Sequence, residues 1–317
     1  MGNVLVTGGA GFLGSHLCKR LIENGENVFC IDNLTSGDYA NIEELTKKPS
    51  FKFIKHDITE PIELEVDKIF NLACPASPIQ YQERPIETMK SCFIGALNML
   101  ELAKKNKAVI LQTSTSEVYG DPKIYPQDET YWGNVNPIGF RSCYDEGKRA
   151  AEALFFCYKR VHKLDIRVVR IFNTYGPKMA ENDGRVISNF INQALKGKNL
   201  TIYGDGSQTR SFCYVEDMIT ALLSVMDCDE SEDISPLNLG NPYEITIKEL
   251  AERIISLTGS TSEIEYCELP KDDPVRRCPD IKKAKKYLTW EPKISLKEGL
   301  EKTIDYFRCI TKNDEAV

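Results

Sequence analysis

The stretch VTGGAGFLGSHL, residues 6–17, runs from an apolar strand straight into a helix. Gly8, Gly11 and Gly14 stand three residues apart in it. Without a side chain at Gly8 the turn can be tight. At Gly11 the backbone can approach a pyrophosphate, which then rests on the helix N-terminus. The next strand, NVFCID, ends in Asp32, where a carboxylate accepts hydrogen bonds from ribose hydroxyls and repels a 2′-phosphate. NAD is therefore expected rather than NADP. A third strand end carries Asp57, which either sits where adenine rests or caps the following turn.

Working outward, short β-branched runs alternate with helical segments: NVLVTG, NVFCID, FKFIKHD, KIFNLAC, AVILQTS and DIRVVRIF. Near-continuous apolar strands joined by crossover helices predict an α/β fold of the Rossmann type, a doubly wound parallel sheet covered on both faces. After Phe172 the elements shorten and turns multiply, which predicts a smaller mixed α/β lobe for substrate. Residues 1–172 with about 211–242 are assigned to the NAD-binding domain, and 173–210 with 243–317 to the substrate lobe. Two helices carry apolar stripes: residues 86–105 with Met89, Phe93, Leu97, Leu100 and Ala103, and residues 145–161 with Ala150, Leu154, Phe155 and Tyr158. Either stripe packs in the core, or the two pair across a two-fold axis as the four-helix bundle of a homodimer.

The chain has 317 residues, 42% of them hydrophobic, enough for a sizeable core. A net charge of −7 argues against a nucleic-acid partner. Eleven scattered cysteines without a CxxC pair, and no signal segment or long apolar run, predict reduced thiols in a soluble cytoplasmic protein away from membranes. The three histidines are far apart and make no zinc pattern, so no metal is expected.

The segment YDEGK places Tyr144 and Lys148 four residues apart on one helix face. A phenol titrates near 10 in water, and an adjacent ammonium favours the phenolate, so Tyr144 is expected to serve as a base near neutral pH. The segment ILQTSTSEVYGD begins as a strand and ends with Thr115, Ser116 and Glu117 side by side.

Taken with NLACPASP, YWGNVNPIGFRSCYDEGKR, RIFNTYGP, NDGRVISNF, YGDGSQTRSF and DDPVRRCPDIKKAKKYLTWEP, these motifs resemble the extended short-chain dehydrogenase/reductases. Within them the chain is similar to the UDP-glucuronate decarboxylases, from Val4 to about Arg308. The resemblance implies Thr115, Ser116, Glu117, Tyr144, Lys148 and Arg277 as catalytic residues. It places Gly8, Gly11, Phe12, Leu13, Gly14, Asp32, Asn33, Leu34, Ser36, Gly37, Asp57, Ile58, Leu72, Cys74, Tyr144, Lys148 and Thr174 around NAD. It places Lys90, Arg141, Asn173, Arg185, Tyr203, Gln208 and Arg210 around UDP-glucuronate, with Arg210 at the pyrophosphate, Arg185 on the nucleotide side and Arg141 with Arg277 at the sugar; Arg276 and Lys271 stay unassigned. Cys74 stands where the family commonly has Ser or Ala, and DNLTSG lacks the aromatic pair often seen after the aspartate.

In the related dehydratases the matching stretch reads Asp-Glu, an acid and a base that expel water; the 4-epimerases usually lack the glutamate. Ser116-Glu117 suggests a third outcome. Oxidation at C4 makes a ketone β to the C6 carboxylate, CO2 leaves, C5 is protonated, and C4 is reduced again with NAD regenerated. Glu117 and Ser116 are expected at the C5–C6 side of the sugar, opposite Arg277. The alternatives are a UDP-glucuronate 4-epimerase and a catalytically silent NAD-binding regulator of the same fold.

Overall fold

The computed structural model describes residues 2–181, 183–229, 234–268 and 276–314, the last three of them as backbone only. Six apolar runs form parallel strands: β1 (Asn3–Thr7), β2 (Asn27–Asp32), β3 (Phe51–Lys55), β4 (Lys68–Asn71), β5 (Val109–Thr115) and β6 (Ile166–Ile171). Leu237–Leu239 returns late in the chain as β7 and pairs in parallel with β6. The order is β7-β6-β5-β4-β1-β2-β3. Strand order reverses between β1 and β4, and a crevice opens there beyond the carboxyl ends of the strands. Val4, Leu5 and Val6 of β1 have no exposed surface, because both faces of the sheet are covered.

The helices are α1 (Phe12–Glu23), α2 (Pro78–Glu83), α3 (Pro85–Lys90), α4 (Ala96–Asn106), α5 (Ser142–His162), α6 (Val186–Leu195), α7 (Val215–Met226), α8 (Ile247–Thr258), α9 (Lys282–Leu288) and α10 (Leu296–Asp314). α1 and α7 pack together and against the sheet, and α4 and α5 likewise. Their apolar side chains belong to two separate cores, one around Leu17, Met218 and Leu222, the other around Met99, Phe155 and Ile110. α6, α8 and α10 pack on one another, with the parallel pair Leu200–Tyr203 and Ile264–Cys267 beside α6 and α8. α9, in the stretch grouped with the substrate lobe, packs on β7 and α7. A small sheet pairs Thr209–Ser211 with Glu244–Thr246 on one side and Arg276–Arg277 on the other. Its register sets Arg277 directly beside Arg210.

Between α3 and α4 the backbone makes a π-helical turn, Ser91–Gly95. One extra residue in a turn rotates everything after it by about 100°. Residues 86–105 therefore do not share one apolar face: Met89 and Phe93 are exposed, while Leu100 and Ala103 are fully buried in the core. Phe155 of α5 is also fully buried. The exposed apolar residues on this side of the molecule are Ile86, Met89, Phe93 and Ile94, with Val161 near the end of α5. Among the described residues no helix is long and apolar enough to cross a membrane.

One buried ion pair ties α5 to the sheet. Arg170 of β6 donates to both carboxylate oxygens of Glu152 at 3.0 and 2.7 Å, and Ser114 of β5 donates to Glu152 at 2.5 Å. Removing one partner of such a pair strands the other charge, at a cost of about 3–5 kcal/mol. Glu152→Ala is expected to lower the thermal midpoint by roughly 10 °C, read by circular dichroism; an unchanged midpoint would show that water reaches Arg170.

Candidate active site

A cleft of about 1110 Å³ opens at the carboxyl ends of the strands and runs between the sheet and α6. At its sheet end the glycine turn has the shape a pyrophosphate needs. Gly8 has φ +66°, and a Cβ there would stand 2.9 Å from the Ala73 Cα. A Cβ on Gly14 would run into the Gly8 carbonyl. α1 begins at Phe12 with no side chain capping its first turn, which leaves those amides to face an anion.

Asp32 accepts from the Ala10 amide at 3.0 Å and from the Leu34 amide at 2.8 Å. Burial pushes its carboxyl above the usual range. Gly8, Gly11, Phe12, Leu13, Gly14, Asp32, Asn33, Ser36, Asp57, Ile58, Leu72, Cys74 and Thr174 all line the cleft. Leu34 and Gly37 do not, and they differ in this from the other residues expected around NAD. The Leu34 side chain packs against the core, while its backbone, at φ +61°, turns the amide onto Asp32. Gly37 makes room: a Cβ there would lie 2.7 Å from an Asp32 oxygen. Asp57 holds Asn33 through one oxygen at 2.9 Å and closes the turn onto Thr59 through the other.

Tyr144 and Lys148 come from the first two turns of α5 and line the middle of the cleft with Thr115, Ser116 and Glu117. The Thr115 hydroxyl works to lower the Tyr144 phenol. Tyr81 of α2 stacks on Tyr144, ring centroids 4.9 Å apart and planes 4° from parallel. Lys148 donates to the Thr113 carbonyl at 2.9 Å and stands 5.7 Å from the Tyr144 ring centroid. The expected lowering of the phenol does not occur in the chain alone. Burial pushes Tyr144 up, nearby Cys74 and Cys92 add to the rise, and the ammonium is directed at a backbone carbonyl.

Expected on opposite sides of a sugar, Glu117 and Arg277 are in direct contact. Glu117 accepts from Arg141 at 2.5 Å through one oxygen and from Arg277 through the other. Burial alone would raise its carboxyl, but Arg277 and Arg141 overcome it and hold Glu117 down at about 2. Two guanidinia are what allow a carboxylate to stay ionised in so dry a place. Beside them Asp145 is buried, and its Oδ1 has no hydrogen-bond partner. Burial and the Glu117 charge push Asp145 up to about 7, against Arg141 and Arg277.

At the α6 end, Arg210 donates to the Thr209 carbonyl at 3.0 Å, and Gln208 to the Tyr203 carbonyl at 2.6 Å. Arg185 forks onto Asp183 and lies over the Phe12 ring, 5.6 Å from its centroid, close to the glycine turn. Lys90, Asn173, Arg185, Tyr203, Gln208 and Arg210 all line the cleft. Arg276 is exposed and stacks over Tyr125, 5.2 Å from its centroid; Lys271 lies outside the described residues. Tyr81, Asp145 and Asp183 were not foreseen. Asp145 adjoins Tyr144 in the quoted YDEGK, so only its burial was hidden.

The family model for GDP-mannose 4,6 dehydratase matches residues 5–303. UDP-glucuronic acid decarboxylase 5 of Arabidopsis thaliana is 56% identical over 306 residues, 96% of this chain and 89% of that protein. UDP-glucuronic acid decarboxylase 1 of Danio rerio is 54% identical over 304 residues, 96% of this chain and 72% of that protein. The chain belongs to the UDP-glucuronic acid decarboxylase family. Among solved structures, UDP-glucuronic acid 4-epimerase from Bacillus cereus, in complex with UDP-glucuronic acid and NAD, has a TM-score of 0.88 at 28% identity, covering 97% of this chain and 99% of that one. Ser116 and Glu117 open the 3-10 turn that follows β5 and line the cleft with a hydroxyl and a carboxylate.

Asp145 generates a pH prediction. The unfolded chain releases this proton near 3.8 and the folded chain near 7. Between those values the folded state binds more protons, so stability falls as pH rises, by up to roughly 1.4 kcal/mol per pH unit. Asp145→Asn is expected to flatten urea-unfolding stability between pH 4 and 7. An unchanged slope in the variant would place that proton elsewhere.

Proposed function

We propose that this chain converts UDP-glucuronate to UDP-xylose and CO2, with NAD held between turnovers. The observation that carries the reading is the pairing Ser116-Glu117 at the end of β5, with Glu117 clamped by Arg141 and Arg277 in a cleft that also holds Tyr144 and Lys148. Gly8, Gly11, Gly14 and Asp32 would hold the dinucleotide, with the other cleft-lining residues at that end. When bound, NAD accepts hydride from C4 of the sugar and returns it at the end of the turnover.

The chain's own groups do the rest. Tyr144 takes the proton of the C4 hydroxyl, Thr115 bonds the same oxygen, and Lys148 supplies the positive charge that the buried phenol lacks at rest. The C4 ketone then accepts the electrons released as CO2 leaves. Arg141 and Arg277 orient the sugar carboxylate, which has to share them with Glu117. That crowding of two carboxylates disappears when neutral CO2 departs. Glu117 and Ser116 hold a water at C5, and the proton comes from that water, since a guanidinium is a poor donor. Arg210 and Arg185 neutralise the pyrophosphate end, with Lys90, Asn173, Tyr203 and Gln208 around the nucleotide sugar. All eleven cysteines are free, which suits a reducing compartment such as the cytoplasm.

The test is product analysis. Incubation with UDP-glucuronate is expected to release CO2 and yield UDP-xylose without NADH accumulating at 340 nm. UDP-galacturonate as the product would mean an epimerase, and no turnover a silent homologue. Tyr144→Phe is expected to slow turnover ~10²–10⁴-fold before any ketone forms. Glu117→Ala should slow CO2 release far more than it weakens binding; a native rate in that variant would sink the assignment.

We also infer a homodimer through the α3–α5 face. Ile86, Met89, Phe93 and Leu97 from the α3–α4 segment would pair with Leu154, Tyr158 and Val161 of α5 on a second copy as a four-helix bundle. Phe93→Asp is expected to halve the mass measured by light scattering at micromolar concentration. A native protein that scatters as a monomer rules the dimer out.

A further inference from the structure

Two thiols touch beside Tyr144. Cys74 Sγ and Cys92 Sγ are 3.3 Å apart. Cys74 follows β4, is half-buried and lines the cleft. Cys92 is buried in the π-helical turn and backs onto Gly147 of α5, where an added Cβ would meet the Cys92 Cβ at 3.0 Å. The decarboxylation chemistry uses neither sulfur. We propose that Cys74 and Cys92 form a peroxide-sensitive pair that closes to a disulfide and reversibly stops turnover.

The sulfurs need to approach by roughly 1.3 Å to reach a disulfide bond length of about 2.05 Å. The third nearby thiol, Cys143, is turned away onto the Tyr81 carbonyl at 3.4 Å. The two members of the pair differ in the way an attacking and a resolving cysteine differ. The hydrogen bond from Cys92 pulls the Cys74 thiol below its usual value, burial opposes this, and the Lys148 ammonium adds to the lowering. Cys92 is pushed up by the same hydrogen bond and by burial, so it keeps its proton.

With hydrogen peroxide as oxidant the steps balance. The Cys74 thiolate attacks one peroxide oxygen, the O–O bond breaks, and hydroxide leaves, giving the sulfenic acid. Cys92 sulfur then attacks Cys74 Sγ. The S–S bond forms, the S–O bond breaks, and the departing hydroxide takes the Cys92 proton as water. Two thiols lose two electrons, and one peroxide becomes two waters. The closed pair would draw the chain after β4 onto the turn that follows Lys90 and press on Gly147, next to Lys148. Both lysines line the cleft.

The linkage itself does not depend on what the substrate is. The NAD-loaded protein is treated with hydrogen peroxide, alkylated, digested with trypsin and analysed by mass. CO2 release is measured in parallel, relative to the untreated protein. We expect peptides 69–90 and 91–104 joined with the loss of two hydrogens. CO2 release should fall at least fivefold and return with dithiothreitol. In Cys92→Ala, peroxide should carry Cys74 on to the sulfinic acid, and dithiothreitol should no longer restore activity. A link from Cys74 to peptide 142–148, inactivation of the native protein with no link, or a link that leaves the rate unchanged each overturns the proposal. An untreated protein that releases no CO2 would refute the decarboxylase reading, while the linked peptides would still be read by mass.

Discussion

A carboxylate clamped between two guanidinia organises this molecule. Glu117 lies in the turn just after β5 of the large sheet, Arg141 precedes α5, and Arg277 belongs to the small three-stranded sheet. Each charge is unaffordable in that position without the others. The triad therefore ties the end of the large sheet to the small three-stranded sheet across the cleft, at the proposed site of the chemistry. A structural ion cluster and the proposed reaction centre share the same three side chains.

The sharing has a mechanistic meaning. Arg277 sits in strand register with Arg210, so the residue proposed at the sugar carboxylate and the one proposed at the pyrophosphate belong to one rigid ladder. Adjacent strands lie ~4.8 Å apart, and their spacing does not adapt to a ligand. Under the proposed function a nucleotide sugar meets both guanidinia from one ladder, which suits a substrate that carries a carboxylate as well as a pyrophosphate.

Much of this was legible in the chain because it is written in local spacing. The glycine turn, the strand-end Asp32 and the Tyr144–Lys148 step each lie within one or two elements. What escaped depends on elements that meet only in the fold. Tyr81 reaches Tyr144 from 63 residues away to stack on it. Asp145 stands in plain view beside Tyr144, yet its raised carboxyl comes from burial and from Glu117. The apolar stripe through residues 86–105 was misread because a π-helical turn interrupts the helical period, and no local residue type announces that turn. Lys148 points at a backbone carbonyl, a partner that side-chain patterns cannot name.

Gly37 carries a consequence for how this enzyme could evolve. Its missing side chain is what leaves the Asp32 carboxylate its place, and Asp32 is the residue proposed to favour NAD over its 2′-phosphorylated counterpart. Neither position can drift alone. A larger residue at 37 evicts the carboxylate before any new phosphate contact exists, and a smaller residue at 32 opens a hole that still lacks a cation. A lineage moving toward the phosphorylated cofactor has to cross a state that binds neither well. The two positions are thus a ratchet on cofactor choice, set by a hydrogen atom where a methyl group would not fit.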